Sequence, residues 1–392
     1  MKCAVVTTTS PDISAALDGV IQRFSDRLGG ARPDLLMVYF TPHHAHDAAM
    51  IRERLMEQLN PRVLLGCPAV GVIGESVEVE SGAGLSLWGA TWPGAELQTF
   101  HLSMGDAEVP EVTGWPESLP QGAGIMLLAD PYTTPPDDLL NGLHERYPGS
   151  AIVGGMASGS SGPGAANIIS HEGVHNEGAL VLAISGTVRM DAVVSQGCRP
   201  VGSHLVITKA DRNAIFSLGG KPALAALQAV ASEVSPEEQE LMRSSLHVGR
   251  VVDERKSQFE RGDFLVRNVL GVDPETQGLL VSDLVRAGQT IQFMVRDAEA
   301  AGEELSALLD REAAASETLG QPLGAMLFSC NGRGSKLFGR PHHDVGHVHA
   351  SLGDLPTAGF FAAGEIGPVG GQPFLHGFTA SIALFREQAA SA

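Results

Sequence analysis

No two cysteines in this sequence are spaced for a zinc ribbon or a disulfide framework. Cys3, Cys67, Cys198 and Cys330 lie far apart, with no Cys-x-x-Cys pair, a pattern that fits a reducing cytoplasm. Basic residues are scarce as well. The chain carries 26 Lys and Arg against 45 Asp and Glu, a net charge of -19, and it has no run of Lys or Arg. Such a chain repels phosphate backbones and anionic membranes, which argues against nucleic acid and lipid as partners; the acidic excess serves solubility. No apolar stretch approaches the ~18 residues of a membrane span. The N-terminus, Met-Lys-Cys-Ala-Val-Val-Thr-Thr-Thr-Ser, has no signal-peptide core, so secretion and membrane insertion are disfavoured. Gly162-Pro163-Gly164 is followed by no Gly-Lys-Ser/Thr, which removes the phosphate-binding loop.

What is present is a repeated pattern. Leu35 to Phe40 is an apolar strand, a helix from about Ala45 to Leu59 carries Ile51, Leu55 and Leu59 on one face, and Val63 to Leu65 is a strand ending at Gly66. The order recurs from Gly124 through a helix bearing Leu139, Leu140 and Leu143 to Gly154-Gly155. A third copy runs from Met326 to Phe328, through a helix within Asp344 to Leu352, to Gly359 to Ala362. Each strand, helix, strand unit pairs its strands in parallel, and each is followed by a glycine-containing segment and a further strand that returns antiparallel. At the N-terminus Ser10-Pro11 reads as a helix cap followed by proline at the first helical position. Asp106 to Pro120 reads as a proline-rich surface connection.

With 392 residues the chain exceeds a single core, which rarely grows beyond ~250 to 300 residues. Two related domains are expected, 1–197 and 198–392, divided near Gln196 to Gly202, where strand content pauses. The fold class is α/β in the mixed α+β sense. Helices are too few to cover both faces of so many strands, so mixed sheets with helices on one face are expected to bury their bare faces against each other as an αββα sandwich.

Reactive side chains concentrate between Phe328 and Phe378. Two apolar strands end there in glycine-rich turns, one delivering Cys330, Asn331 and Arg333 with Gly334, the other delivering Glu365. Strand ends of this kind suit a ligand pocket at the carboxyl edge of a sheet. Cys330 reads as a nucleophile if a base such as His343 or His376 lowers its pKa from ~8.5, and otherwise as a small pocket-lining hydrophobe. The Arg333 fork suits a carboxylate or phosphate, or a structural salt bridge to Glu365. Paired, the two would suit an amino acid zwitterion. Glu365 is a general base or an acceptor for loop amides. His343 and His347, four apart, share a helix face that binds a metal if a third ligand exists; with Val345, Val348 and Leu352 buried they are instead left in solvent. No third ligand is identifiable, so no metal or cofactor is expected. His43, His44 and His46 follow a strand end too and line a second pocket or are solvated, while Cys67 and Met156 mark close-packed turns.

These motifs carry a resemblance. Together with Leu64-Leu-Gly-Cys-Pro-Ala-Val-Gly, Gly154-Gly-Met-Ala-Ser-Gly and Gln196-Gly-Cys-Arg-Pro-Val-Gly, the stretch from Phe328 to Phe378 resembles the FIST domain, a sensory module of signal-transduction proteins also present in an F-box protein. The likeness runs from about Asp34 to Phe385. It implies a small-ligand sensor, with amino acids among the suggested ligands, and no known reaction. It also implies that His343-Asp344 matters more than the neighbouring histidines. The expected site is therefore Cys330, Asn331, Arg333, Gly334, His343, Asp344, Glu365 and His376, with no catalytic residue assigned. The expected partners are a small carboxylate or amino acid and a downstream protein or second copy. An enzyme using Cys330 with Glu365 or His343, and a protein-binding scaffold, are the alternatives.

Overall fold

The computed structural model describes residues 1–105 and 111–388. The chain forms two compact units, Met1–Ser195 with the chain from Leu305 onward, and Gln196–Glu304. The first unit is built three times over. Its first repeat holds β1 (Lys2–Thr8), α1 (Ile13–Leu28), β2 (Leu35–Phe40), α2 (Ala48–Leu59), β3 (Val63–Pro68), the hairpin β4 (Val72–Gly74) and β5 (Val77–Val79), and the return strand β6 (Leu85–Thr91). The second holds β7 (Ala95–Met104), β8 (Val112–Thr113), β9 (Gly124–Ala129), α3 (Pro136–Arg146), β10 (Ile152–Met156), the hairpin β11 (Ile168–Ser170) and β12 (Val174–His175), and β13 (Ala179–Gly186). The third opens with β14 (Val188–Ser195).

The second unit follows in sequence with β15 (Cys198–Asp211), β16 (Ala214–Leu218), β17 (Lys221–Pro222), α4 (Ala223–Glu233), α5 (Pro236–Ser245), β18 (Leu246–Val251), β19 (Phe264–Val272), β20 (Leu279–Val281) and β21 (Thr290–Arg296). Its strands run in the order β15-β21-β18-β19-β20-β16-β17, and β15 also pairs with β16, so the sheet closes on itself. Val201, Ile207, Ile291 and Phe293 fill it together with Ala223, Ala226 and Val230 of α4. The chain enters this unit directly on a long strand, because Cys198 to Val201 pair with Phe293 to Arg296; the expected pause in strand content is absent.

The third repeat resumes with α6 (Ala298–Leu319), β22 (Pro322–Cys330), the short α7 (Ser335–Phe338), α8 (His343–Leu352), β23 (Thr357–Ala362), the hairpin β24 (Glu365–Val369) and β25 (Gln372–His376), and β26 (Ala380–Glu387). In every repeat the two strands flanking the helix pair in parallel, as their apolar runs predict. The hairpins do not stay at home. The three sheets run β1-β6-β2-β3-β11-β12, β25-β24-β10-β9-β13-β7-β8 and β14-β26-β22-β23-β4-β5. Each repeat thus hands its hairpin to another repeat's sheet, in a cycle.

One register mark proves the repeats equivalent. Gly66, Gly154 and Gly359 lie opposite Val38, Leu127 and Leu327 across the parallel pairs. A Cβ on any of them would fall 2.1, 2.1 or 1.7 Å from the carbonyl oxygen of that partner, so only glycine permits the approach. Gly154 and Gly155 are accordingly strand residues; Cys67 and Met156 also lie within strands, in place of the expected turns.

The mixed α+β class and the one-sided helix cover are as the sequence indicates, and the bare sheet faces do bury one another, with three sheets taking part where two were expected. Tyr39, Trp88, Met126, Leu128, Phe328, Phe360 and Phe385 form this shared core, where Tyr39 and Phe328 flank Phe360 at centroid distances of 5.1 and 5.4 Å, each contact contributing about 0.5 to 1.5 kcal/mol beyond area burial. The outer faces pack against α1 and α2, α3, and α6 and α8. Local signals differ in detail from the sequence reading: Asp12, not Ser10, caps α1 by accepting from the Ala15 amide, and α2 is preceded by a 3-10 turn, Pro42–Asp47. Part of the proline-rich connection, 106–110, lies outside the described residues. No helix among the described residues is long and apolar enough to cross a membrane.

Candidate functional site

β22 ends at Cys330, whose amide donates to the Thr379 carbonyl at 3.0 Å, and the turn that follows points Arg333 back into the protein. Arg333 and Asp344 are both buried. Arg333 Nε donates to Asp344 Oδ2 and Nη2 to Oδ1, each at 2.7 Å. Ser329 Oγ adds a third hydrogen bond to Oδ2 at 2.7 Å, and His343 Nδ1 lies 2.9 Å from Oδ1. The anticipated pairing of Arg333 with Glu365 is therefore not formed, because the first residues of α8 bring a nearer carboxylate onto the guanidinium fork. Burial alone would raise the Asp344 carboxyl; the Arg333 charge and the hydrogen bonds outweigh it and hold the group well below the usual carboxylate range.

His343 is buried, not solvated as its helix position implied. Its ring stacks on Phe338 with centroids 3.3 Å apart, and the same Phe338 ring lies 5.0 Å from the Arg333 guanidinium carbon. His347 sits 4.6 Å from His343 between ring centres, yet among the described residues no three His, Cys, Asp or Glu side chains are grouped to hold a metal. His44 is buried while His43 and His46 are exposed, on the 3-10 turn before α2.

Two residues that the sequence reading missed brace this assembly from the far end of the chain. Glu78 Oε1 accepts from the Val345 amide at 2.9 Å, in the first turn of α8, and Glu80 accepts from the Ser335 amide and hydroxyl at the start of α7. Both carboxylates complete helix N-termini. Burial and the neighbouring Asp344 charge push Glu78 up to about 7. Gly334 has φ 70° and a Cβ there would lie 2.6 Å from the Glu80 carboxylate. The alternation Val77-Glu78-Val79-Glu80 signals a strand, but nothing local signals a partner more than 250 residues away.

Glu365 begins the exchanged hairpin β24–β25 and is fully buried. Its Oε2 accepts from the Thr379 amide at 3.0 Å, while Oε1 has no hydrogen bond of normal geometry among the described residues. The Cys330 thiol lies against this carboxyl. Burial pushes Glu365 up to about 8, and burial together with Glu365 pushes Cys330 up to about 12, so at neutral pH acid and thiol both hold their protons. The Gly332 amide donates to Cys330 Sγ at 3.4 Å. His376, also buried, stands directly across the hairpin from Glu365 and has Nε2 2.9 Å from the Gly367 carbonyl. Asn331 is exposed. Phe378, half-buried and with φ 65°, links the two clusters: its carbonyl accepts from Arg333 Nη1 at 3.2 Å.

The repeats supply an internal control. Ile73, Ile169 and Ile366 face the three equivalent glycines, so the residues before them, Val72, Ile168 and Glu365, occupy one structural position. All three are fully buried. Two repeats fill that slot with hydrocarbon and the third with an acid, at a cost that packing does not require. Cys330 likewise shares its position with Thr41 and Asp130, whose amides donate to Gly84 and Gly178 as Cys330 does to Thr379.

The chain matches the FIST N domain over residues 34–221 and the FIST C domain over residues 223–368. An uncharacterized protein of Mycobacterium tuberculosis is 38% identical over 388 residues, covering 98% of this chain and 100% of its own. Another, of Mycobacterium bovis, is 37% identical, covering 98% and 99%. The cyanuric acid hydrolase of A. caulinodans aligns over 99% of both chains at 9% identity with a TM-score of 0.26, too low to bear on fold or activity.

Proposed function

The chain belongs to the FIST family, whose domains are associated with sensory signal transduction, and from that premise we propose that it senses a small carboxylate or amino acid through Glu365. The observation that carries this reading is the buried acid in a slot that the sister repeats fill with Val72 and Ile168. A carboxyl that keeps its proton at pH 7 offers an O–H donor to an incoming carboxylate, and Oε1, beside the Cys330 thiol, has no hydrogen bond of normal geometry among the described residues. Arg333 contributes differently from the sequence expectation. Two arms of its fork belong to Asp344, but the third, Nη1, donates among the described residues to the Phe378 carbonyl at 3.2 Å, which stands in for a carboxylate oxygen. Displacing Phe378 from its left-handed conformation gives a ligand both contacts and relieves backbone strain.

That displacement also supplies the signal, since Phe378 adjoins β26 and its movement is read by a partner protein or a second copy. A thermal-shift screen of small carboxylates and amino acids tests the proposal. Saturable stabilisation of the native chain, lost in Glu365→Gln, is expected. Equal responses from the two proteins would remove Glu365 from the site.

A further inference from the structure

His343 and His347 are imidazoles that the carboxylate site leaves unused. They stand at i and i+4 in α8, a spacing that puts both rings on one helix face, and their ring centres lie 4.6 Å apart with planes inclined at 54°. The His343 ring is fixed from two sides. Asp344 is ionised against Arg333 and its carboxylate can only accept, so the 2.9 Å contact with His343 Nδ1 puts the ring proton on Nδ1 and the lone pair of the neutral ring on Nε2. The stacked Phe338 ring, 3.3 Å away between centroids, sets the ring plane. His343 Nε2 makes no hydrogen bond among the described residues and is not one of their fully buried unpaired nitrogens, so the 3% of this side chain that stays exposed includes it. His347 is half-buried and makes no hydrogen bond among the described residues, which leaves its ring free to turn either nitrogen toward His343. Burial and the adjacent His343 push it below the ordinary imidazole value, so the His347 ring is neutral at pH 7.

A carboxylate that grips one nitrogen of an imidazole while the other nitrogen points outward is how proteins orient a metal-binding histidine, and two histidines four apart on a helix can share one ion. We propose that His343 Nε2 and His347 together bind a first-row divalent ion of the zinc and nickel class, with water in its remaining positions. The donors set that class, because neutral ring nitrogens suit Zn²⁺ and Ni²⁺ whereas Mg²⁺ and Ca²⁺ require oxygen. The surrounding charge sharpens the choice. Arg333 and Asp344 cancel beside the rings, and Arg340 is a further positive neighbour of His347, so no field draws a cation in and only an ion that binds nitrogen strongly is held. An ion on Nε2 makes the Nδ1–H of the same ring a stronger donor to Asp344, which couples the site to the Arg333–Asp344 pair.

The test is isothermal titration of the chelator-treated full chain with zinc chloride and nickel chloride, with magnesium chloride as the control. Saturable binding of Zn²⁺ and Ni²⁺ and none of Mg²⁺ is expected. His347→Asn should weaken Zn²⁺ binding about tenfold or more, while His46→Asn, which removes an exposed histidine before α2, should leave it unchanged. On the unsubstituted chain, peptide mapping after diethyl pyrocarbonate treatment should find His347 shielded by Zn²⁺ and His46 not. Glu365→Gln should bind Zn²⁺ as the native chain does, which separates this site from the carboxylate site. No saturable Zn²⁺ binding, equal binding of Mg²⁺, undiminished binding by His347→Asn, or a His347 that Zn²⁺ fails to shield overturns the proposal.

Discussion

Arg333 and Asp344 meet through two parallel hydrogen bonds of 2.7 Å, with essentially no solvent contact at either side chain. Breaking a buried pair from one side strands a charge, whereas removing both partners does not. Asp344→Leu alone is expected to destabilise the first unit by about 3 to 5 kcal/mol. The double variant Arg333→Met with Asp344→Leu should recover most of that loss. Thermal midpoints of the four proteins in the cycle measure the coupling; additive losses would mean that the pair is not energetically coupled.

Glu365 makes stability depend on pH with a definite sign. Folding raises its pKa from the ordinary 4.5 to about 8, so within that window the native state keeps a proton that the unfolded chain has released. Stability therefore falls as pH rises, by up to about 1.4 kcal/mol per pH unit, and levels off above about 8. Glu365→Val, which copies the sister repeats, should be the more stable protein at pH 8, with an advantage that shrinks toward pH 5. It should also lose the ligand response. Parallel midpoints across this range would show that the carboxyl does not titrate as described.

Cys330 is expected to be a poor nucleophile. With its thiol pushed up to about 12, it offers on the order of a thousandfold less thiolate at pH 8 than an ordinary cysteine. Peptide mapping after iodoacetamide treatment should find it modified at least a hundredfold more slowly than a free thiol. Glu365→Gln should speed the reaction only near and above pH 8, where Glu365, raised to about 8, ionises beside the thiol. Labelling at an ordinary rate would restore the reading of Cys330 as an enzyme's nucleophile.

Gly334 admits no side chain. Its φ of 70° and the Glu80 carboxylate, 2.6 Å from where a Cβ would lie, make Gly334→Ala lose both backbone ease and the cap on α7. A loss of about 1 to 3 kcal/mol is expected, read as a lowered melting midpoint. A neutral outcome would mean that the turn has room to rearrange.

The helices, the parallel pairs and the strand-end location of Cys330, Arg333 and Glu365 were legible because they depend on local periodicity and on glycine at strand ends. Partner identities were not. Arg333 sits eleven positions from Asp344, within one turn-and-helix segment, yet spacing alone could not rank that carboxylate above Glu365. His343 looked solvated because its helix buries Val345 and Val348; Phe338, on a separate short helix, covers it. Glu78 and Glu80 were invisible as members of the site, since hairpin exchange places them there and no local pattern encodes which sheet a hairpin joins.

That exchange also sets an order of events during synthesis. The hairpin of residues 72–79 pairs with Ala358, Gly359 and Phe360, so as the chain leaves the ribosome it waits, edge unpaired, for a strand made nearly three hundred residues later. Chains halted before Thr357 should therefore keep it open to protease, and finished chains should protect it. The cost is a long exposure to wrong partners; the return is that the cluster of Arg333, Asp344, Glu78 and Glu80 comes together only once the third repeat has been made.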